Sequence, residues 1–265
     1  MCSFRQALIF SIMIITSKTN PKVKEIASLK DKKHRKTSGF YIVEGHKMVG
    51  EAIKMGKEII LLVGTEDGLS RFLDCDKEKL FVSDGVFSHL SDAVTPQGIL
   101  AVLKEEKNFP KTPEKPCVLL DGVADPGNMG TIIRTCVAVG VKDIFLVDCC
   151  DPYSPKAVRS SMSGIFSVNL YFIKREEIAE IFKTTPIIVA DMNGENVFSF
   201  NPPSVYCLVI GNEANGVSST VKYLATYTVK IPMSPLSESL NAGVSLAVTL
   251  YELTEGKGRS LIIQK

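Results

Sequence analysis

Four strand-length stretches in the second half of this chain are apolar at almost every position rather than at every second one. They are Cys117-Val118-Leu119-Leu120, Ile144-Phe145-Leu146-Val147, Pro186-Ile187-Ile188-Val189-Ala190 and Val205 to Ile210. A strand without a polar face must be covered on both sides, which is the condition of a parallel sheet held between helices. Strands are expected near 117–121, 142–147, 168–172, 186–190, 205–210 and 227–231, with helices near 128–139, 154–162, 174–183, 217–224 and 239–254. The second half therefore reads as an α/β three-layer domain with a parallel sheet.

At 265 residues the chain has room for two cores. Residues 1–12 read as an N-terminal extension, 13–104 as a first domain, 105–115 as a linker and 116–265 as the second domain. The linker carries Pro110 and Pro113 among charged residues, with Pro116 directly after it, which favours an extended spacer. In the first domain, Met13 to Ser17 is expected to be the first strand, and Pro21 opens a helix packing through Val23, Ile26, Ala27 and Leu29. Strands at 39–45, 58–63, 79–82 and 98–103 alternate with helices at 47–55 and 85–90, giving a small α/β fold. The apolar run Ala7 to Ile15 is too short to cross a bilayer, which takes roughly 18 residues or more, so no membrane partner is expected. Gly50 to Lys57 misses the phosphate-loop spacing, having five residues between its glycines.

Seven cysteines without a Cys-x-x-Cys pair, and three scattered histidines, form neither a disulfide framework nor a zinc pattern. No metal is expected, and a reducing cytoplasm suits the thiols. The net charge of +2 hides an asymmetry: Lys18 to Lys36 holds eight basic residues against two acidic ones, a local charge of +6. Lys30, Lys32, Lys33, Arg35 and Lys36 form a basic patch of the kind that meets RNA phosphates, although such a patch is also an ordinary solvated helix face.

Three loop-forming blocks stand at strand ends, where open parallel sheets bind ligands. The first runs from Asp121 through Asp125-Pro126-Gly127-Asn128 into a helix carrying Arg134 and ending near Gly140. The second is Gly211-Asn212-Glu213-Ala214-Asn215-Gly216. The third is Ile231-Pro232-Met233, followed by Ser239-Leu240-Asn241 and a last helix. Read alone, Asn128 and Ser239 could each be no more than helix N-caps, and Glu213 an exposed turn residue.

In this order and spacing the blocks resemble the three motifs of the SpoU family of RNA ribose 2′-O-methyltransferases. The resemblance is strong over 116–255 and looser over 20–102, where the chain is similar to that family's RNA-binding domain, ending at Thr95-Pro96-Gln97-Gly98. It implies a knotted C-terminal domain of the SPOUT type, a homodimer, S-adenosyl-L-methionine as cofactor, and ribosomal or transfer RNA as substrate. It also implies a catalytic Arg134, with Asn128 orienting it or the RNA and Glu213 holding the loop geometry or the arginine, and cofactor contacts at Gly211, Ile231 and Leu240. Leu208, Ile210 and Met233 are expected to add apolar walls, and Ser239 and Asn241 to complete a polar ring. Because a guanidinium stays protonated, Arg134 is expected to bind the phosphate beside the reacting ribose rather than act as a free base. Gly211 is expected to let the cofactor approach the backbone closely. The chain departs from the family pattern in Ser234 to Glu238, where a glycine is common, and in Gly243. A non-catalytic RNA-binding dimer and a methyltransferase acting on a base nitrogen are the two other readings.

Overall fold

A computed structural model of the chain describes residues 13–237 and 239–255. They divide into two compact units that part between Glu105 and Glu106. The expected extension at 1–12 lies outside the described residues.

The first unit runs α1 (Pro21–Ser28), α2 (Lys32–Ser38), β1 (Phe40–Glu44), α3 (His46–Lys54), β2 (Ile59–Gly64), α4 (Glu66–Leu69), β3 (Lys79–Phe81), α5 (Asp84–Leu90) and β4 (Ile99–Lys104). The sheet order is β1-β4-β2-β3, with β4 antiparallel to both neighbours and β2 parallel to β3. Helix α1 starts where expected, since the Asn20 side chain accepts from the Lys22 amide and Pro21 fills the first turn. Its Val23 and Ile26, with Leu29 just beyond, are buried among Ile42, Val63, Phe87, Leu100 and Val102. The expected strand at Met13 to Ser17 is instead a single bridge, Ile15 to Val82. The one-turn α4 was not foreseen, being too short to carry a periodicity.

The second unit contains β5 (Cys117–Asp121), α6 (Pro126–Ala138), β6 (Asp143–Val147), α7 (Pro155–Ser161), β7 (Asn169–Phe172), α8 (Ile178–Ile181), β8 (Ile187–Asn196), β9 (Cys207–Gly211), α9 (Ser219–Tyr223), β10 (Tyr227–Lys230) and α10 (Ala242–Glu255). Its six strands are parallel throughout, in the order β10-β8-β9-β5-β6-β7. Every residue of β5 is buried. Cys117 and Leu119 face a core with Phe145, Val209, Ile178 and Val221, on the side of α8 and α9. Helix α10 lies against α6 and β9. Helices α6 and α7 approach closely at Gly130, where a Cβ would sit 2.4 Å from the Ser160 Cβ.

Element limits differ from expectation where polar caps act. The expected helix at 174–183 is a 3-10 turn, Arg175–Glu177, followed by one α-helical turn. Strand β8 runs six residues beyond Ala190 to Asn196, because β10 slips register between Thr228 and Val229 and pairs again with Glu195 and Asn196.

The chain order reverses between β5 and β9, where β5 is followed outward by β6 and β7 and the later strands lie on the other side. The carboxyl ends of these two strands are level, Asp121 opposite Gly211. That is a topological switch point, the place in such sheets where a crevice opens. The Asp121 carboxylate, 1% exposed, is pinned there by Arg175 at 2.5 Å and by the Ser218 amide at 2.8 Å. Arg175 also donates to Asp148 at 2.9 Å and to the Ser218 hydroxyl, joining the ends of β5 and β6 to the loop after β9. Its guanidinium is held above the ordinary arginine value: desolvation alone would lower it, and the bonds to Asp121 and Asp148 outweigh that loss.

Arg175→Ala leaves a buried carboxylate without its cation, and we expect a loss of about 2–4 kcal/mol. Urea unfolding of the full-length protein measures it, and Arg175→Lys should lose less.

Candidate active site

The loops leaving the switch point are tied together by one carboxylate and two amides. Glu213, in the loop after β9, accepts from the backbone N–H of Ala124 at 3.0 Å and of Asp125 at 3.2 Å, both in the loop after β5. It also accepts from Asn128 Nδ2 at 2.9 Å. Asn128 Oδ1 in turn accepts from Asn241 Nδ2 at 2.8 Å. Asn241 Oδ1 accepts from the amides of Gly243 at 2.9 Å and Val244 at 3.3 Å, and so caps α10. A carboxylate only accepts, so Asn128 must turn its NH2 toward Glu213 and its oxygen toward Asn241. Asn241 must then do the same in sequence. The direction of the whole chain of bonds is set by the charge on Glu213.

Desolvation pushes the Glu213 carboxyl up, but the donations from Asn128, Ala124 and Asp125 outweigh it, and the group sits below the ordinary glutamate value. Asp125 is also lowered, first by Lys156, which reaches it at 2.7 Å, and then by the Asn128 backbone amide at 2.9 Å. The loop holding Glu213 is closed by Asn212, whose Oδ1 accepts from Ala214 and Asn215, each at 3.0 Å, and whose Nδ2 donates to Gly122 O at 2.8 Å.

Several expected roles change. The cap of α6 is Asp125, not Asn128, which frees the Asn128 side chain for the network. The cap of α10 is Asn241, not Ser239, because the helix begins only at Ala242. Of its two expected roles Glu213 takes the first, holding the loop geometry, and not the arginine: its donors are in the loop after β5 and in the first turn of α6. Arg134 lies six residues beyond Asn128, about 9 Å along the helix and turned to another face. It is exposed and its side chain has no partner among the described residues.

Leu208 and Ile210 are buried inside a central strand covered on both faces, so their side chains are closed off from the crevice. Gly211 is needed by its own loop, where a Cβ would lie 2.2 Å from Gly216 C and Val217 N. The apolar groups that remain open are Met233, 36% exposed, and Leu240, 37% exposed, with Ile231 half-buried beside them in the chain. Among the described residues the backbone of Ile231, Pro232 and Met233 makes no hydrogen bond. Ser234 starts a tight turn, accepting from Ser237 N at 3.0 Å, where the family pattern has glycine.

In the first unit, Lys32, Lys33 and Lys36 are exposed as expected, but Arg35 is buried and Lys30 is engaged. Arg35 donates to the carbonyls of Leu29 and Lys30, at 2.7 and 2.8 Å, satisfying the end of α1. Lys30 donates to Ser91 O at 2.8 Å and lies 3.5 Å from Asp92.

Lys156, Asn212, Arg175 and Ser218 were not foreseen. Only Asp125 had a local signal, an aspartate directly before Pro126 at a helix start. Burial pushes the thiols beside the first loop up, Cys149 to about 11 and Cys150 to about 12, so both are neutral and poor nucleophiles near pH 7. Among the described residues no three His, Cys, Asp or Glu side chains are grouped to hold a metal.

Residues 115–251 match the SpoU rRNA Methylase family and residues 20–101 match the MRM3-like substrate binding domain. The chain belongs to the SpoU rRNA methylase family. It is 31% identical, over 91% of its length and 93% of the relative's, to an uncharacterized tRNA/rRNA methyltransferase of Synechocystis. It is 30% identical, over 90% and 98% of the two lengths, to a 23S rRNA (guanosine(2553)-2′-O)-methyltransferase of Bacillus subtilis. Among solved structures, the AdoMet-bound rRNA methyltransferase of Sinorhizobium meliloti superposes with a TM-score of 0.82 at 27% identity, covering 91% of this chain and 96% of that one.

Because the Glu213 carboxyl is lowered, its contribution is present above the unfolded value, about 4.3, and is lost as pH falls through the folded one. Glu213→Gln should therefore cost stability at pH 7, and the difference from wild type should shrink steadily as pH falls below the ordinary glutamate range. Denaturant titrations at pH 7, 5 and 3 measure it.

Proposed function

We propose that this chain transfers a methyl group from S-adenosyl-L-methionine to a ribose 2′-hydroxyl in structured RNA, ribosomal rather than transfer RNA. The observation that carries this reading is the bonded series Glu213–Asn128–Asn241, which joins all three motif loops at the sheet's switch point. Membership of the SpoU family and the relatives named above support it.

The open residues suit the cofactor. Met233 and Leu240 offer apolar surface, and the backbone of Ile231 to Met233 has amide and carbonyl groups to spare for an adenine edge. When bound, S-adenosyl-L-methionine supplies an electrophilic methyl on a sulfonium. What is asked of the chain is alignment and the handling of one proton. Asn128, fixed by Glu213 and Asn241, presents a rigid polar edge at the start of α6. Arg134 binds the phosphate next to the target ribose, lowers the cost of ionising the hydroxyl and places that phosphate to take its proton.

We read the active form as a homodimer. Val244 and Tyr251 on α10, 46% and 44% exposed, lie on a helix packed against α6, whose outward face bears Arg134. Arg134 then works at a site shared with a second copy, which accounts for its distance along α6 from the Asn128 network. The knotted path of the family belongs to the same reading, supported by the return of Asn241 to Asn128 after β10. The first unit serves as the RNA-binding domain through Lys32, Lys33 and Lys36, and the free cysteines of both units suit the cytoplasm.

Arg134→Ala should reduce methyl transfer to ribosomal RNA by about 100-fold or more, while the cofactor affinity, measured by calorimetry, stays within a few-fold. Product RNA should resist alkaline cleavage at the modified position. A methyl group found on a base, or equal loss of cofactor binding and turnover in the variant, overturns the assignment.

A further inference from the structure

Among the described residues, two that are not glycine hold a positive φ: Asp148 at 52° and Met162 at 53°. Aspartate tolerates that region, and the Asp148 carboxylate is in use there, accepting from Arg175 at 2.9 Å. Met162 is different. Its ψ is −139°, a backbone conformation in which glycine is at ease and a residue with a Cβ is strained. Nor does its side chain fill the core, being 39% exposed. A large side chain kept at such a position and turned outward points to a use outside the core.

The turn itself is held from several sides. Met162 follows α7 and opens a 3-10 turn, Met162–Phe166. Its N–H donates to Arg159 O, the buried Ser161 hydroxyl reaches Val158 O at 2.8 Å and Met162 O at 3.1 Å, and Ser167 N donates to Gly164 O at 2.9 Å. The turn rests on α6. Ser160 meets that helix at Gly130, and a Cβ on Gly164 would touch Arg134 Cα at 3.4 Å. Gly130 and Arg134 are one helical turn apart, about 6 Å. The chain from Ser160 to Gly164 therefore follows one turn of α6, with Met162 at its midpoint. A helical side chain leans toward the N-terminus of its helix, so that of Arg134 covers the turn beginning at Gly130. This places Met162 beside the stem of an exposed arginine that has no partner among the described residues.

We propose that Met162 is a positioning residue for Arg134: its side chain packs along the arginine methylenes and holds the guanidinium toward the RNA phosphate. The proposal rests on the reading of Arg134 as the phosphate-binding group. A free arginine stem samples many rotamers, and apolar contact along it narrows that choice while leaving the charged head in water. Misplacing such a head slows the transfer step and leaves cofactor binding alone.

Methyl transfer by the full-length protein to unmodified ribosomal RNA tests it, with kcat, cofactor affinity by calorimetry and melting temperature measured for each variant. Met162→Ala and Met162→Gly should both lower kcat about tenfold with cofactor affinity unchanged. Met162→Leu, which keeps the bulk, should stay within about twofold of wild type. Met162→Gly should nevertheless melt about 2–4 °C above Met162→Ala, since it alone relieves the backbone, so stability and rate move apart. In an Arg134→Ala background the same Met162 changes should cost nothing further. Wild-type kcat in both small variants overturns the proposal, as does a loss that multiplies with that of Arg134→Ala, or a Met162→Leu variant as slow as Met162→Ala. If Arg134→Ala itself turns over at the wild-type rate, the reading of Arg134 falls, and the proposal with it.

Discussion

A single ionised carboxylate, Glu213, organises the catalytic half of this protein. It takes three N–H donors from a segment nearly ninety positions earlier in the chain and thereby fixes both the loop after β5 and the first turn of α6. Its charge also gives the two asparagines their orientation, because neither amide can turn without presenting an oxygen to an oxygen. A neutral side chain at 213 would permit both directions. The network is thus a means of rigidity more than of net stability, since Glu213 is largely exposed and exposed pairs contribute little.

That carboxylate acts where it does because of the sheet. Strand order puts the ends of β5 and β9 side by side, so two loops distant in sequence emerge within hydrogen-bonding reach. The buried Asp121, held by Arg175 and Ser218, secures the same strand ends from below. Two hydrogen-bonded carboxylates therefore flank the crevice. One is buried and serves the scaffold, and the other is open and serves the loops.

The strands were legible because their composition has one physical cause: burial on both faces leaves only apolar residues. Where burial is incomplete that signal fails, as in Met192 to Asn196, which extends β8 through a slipped register despite its polar residues. The three motif blocks were legible as loops at strand ends, but the division of labour within them was not. Asp125 and Asn128 are both plausible caps by type, and only coordinates distinguish the residue that caps from the one whose side chain is thereby released. Arg35 sits among lysines of the same charge and could not be told from them. Its burial follows from the end of α1 needing donors, a fact of three-dimensional closure. Arg175 and Asp121 are fifty-four positions apart with no pattern linking them.

Asn241 meets Asn128 across a separation of 113 residues. Such long-range pairing is slow to form and comes late in folding. During synthesis, then, the β5 loop and α6 emerge well before the residue that completes their bonding, and the crevice stays unfinished until Asn241 has left the ribosome. An enzyme built this way has no competent nascent form.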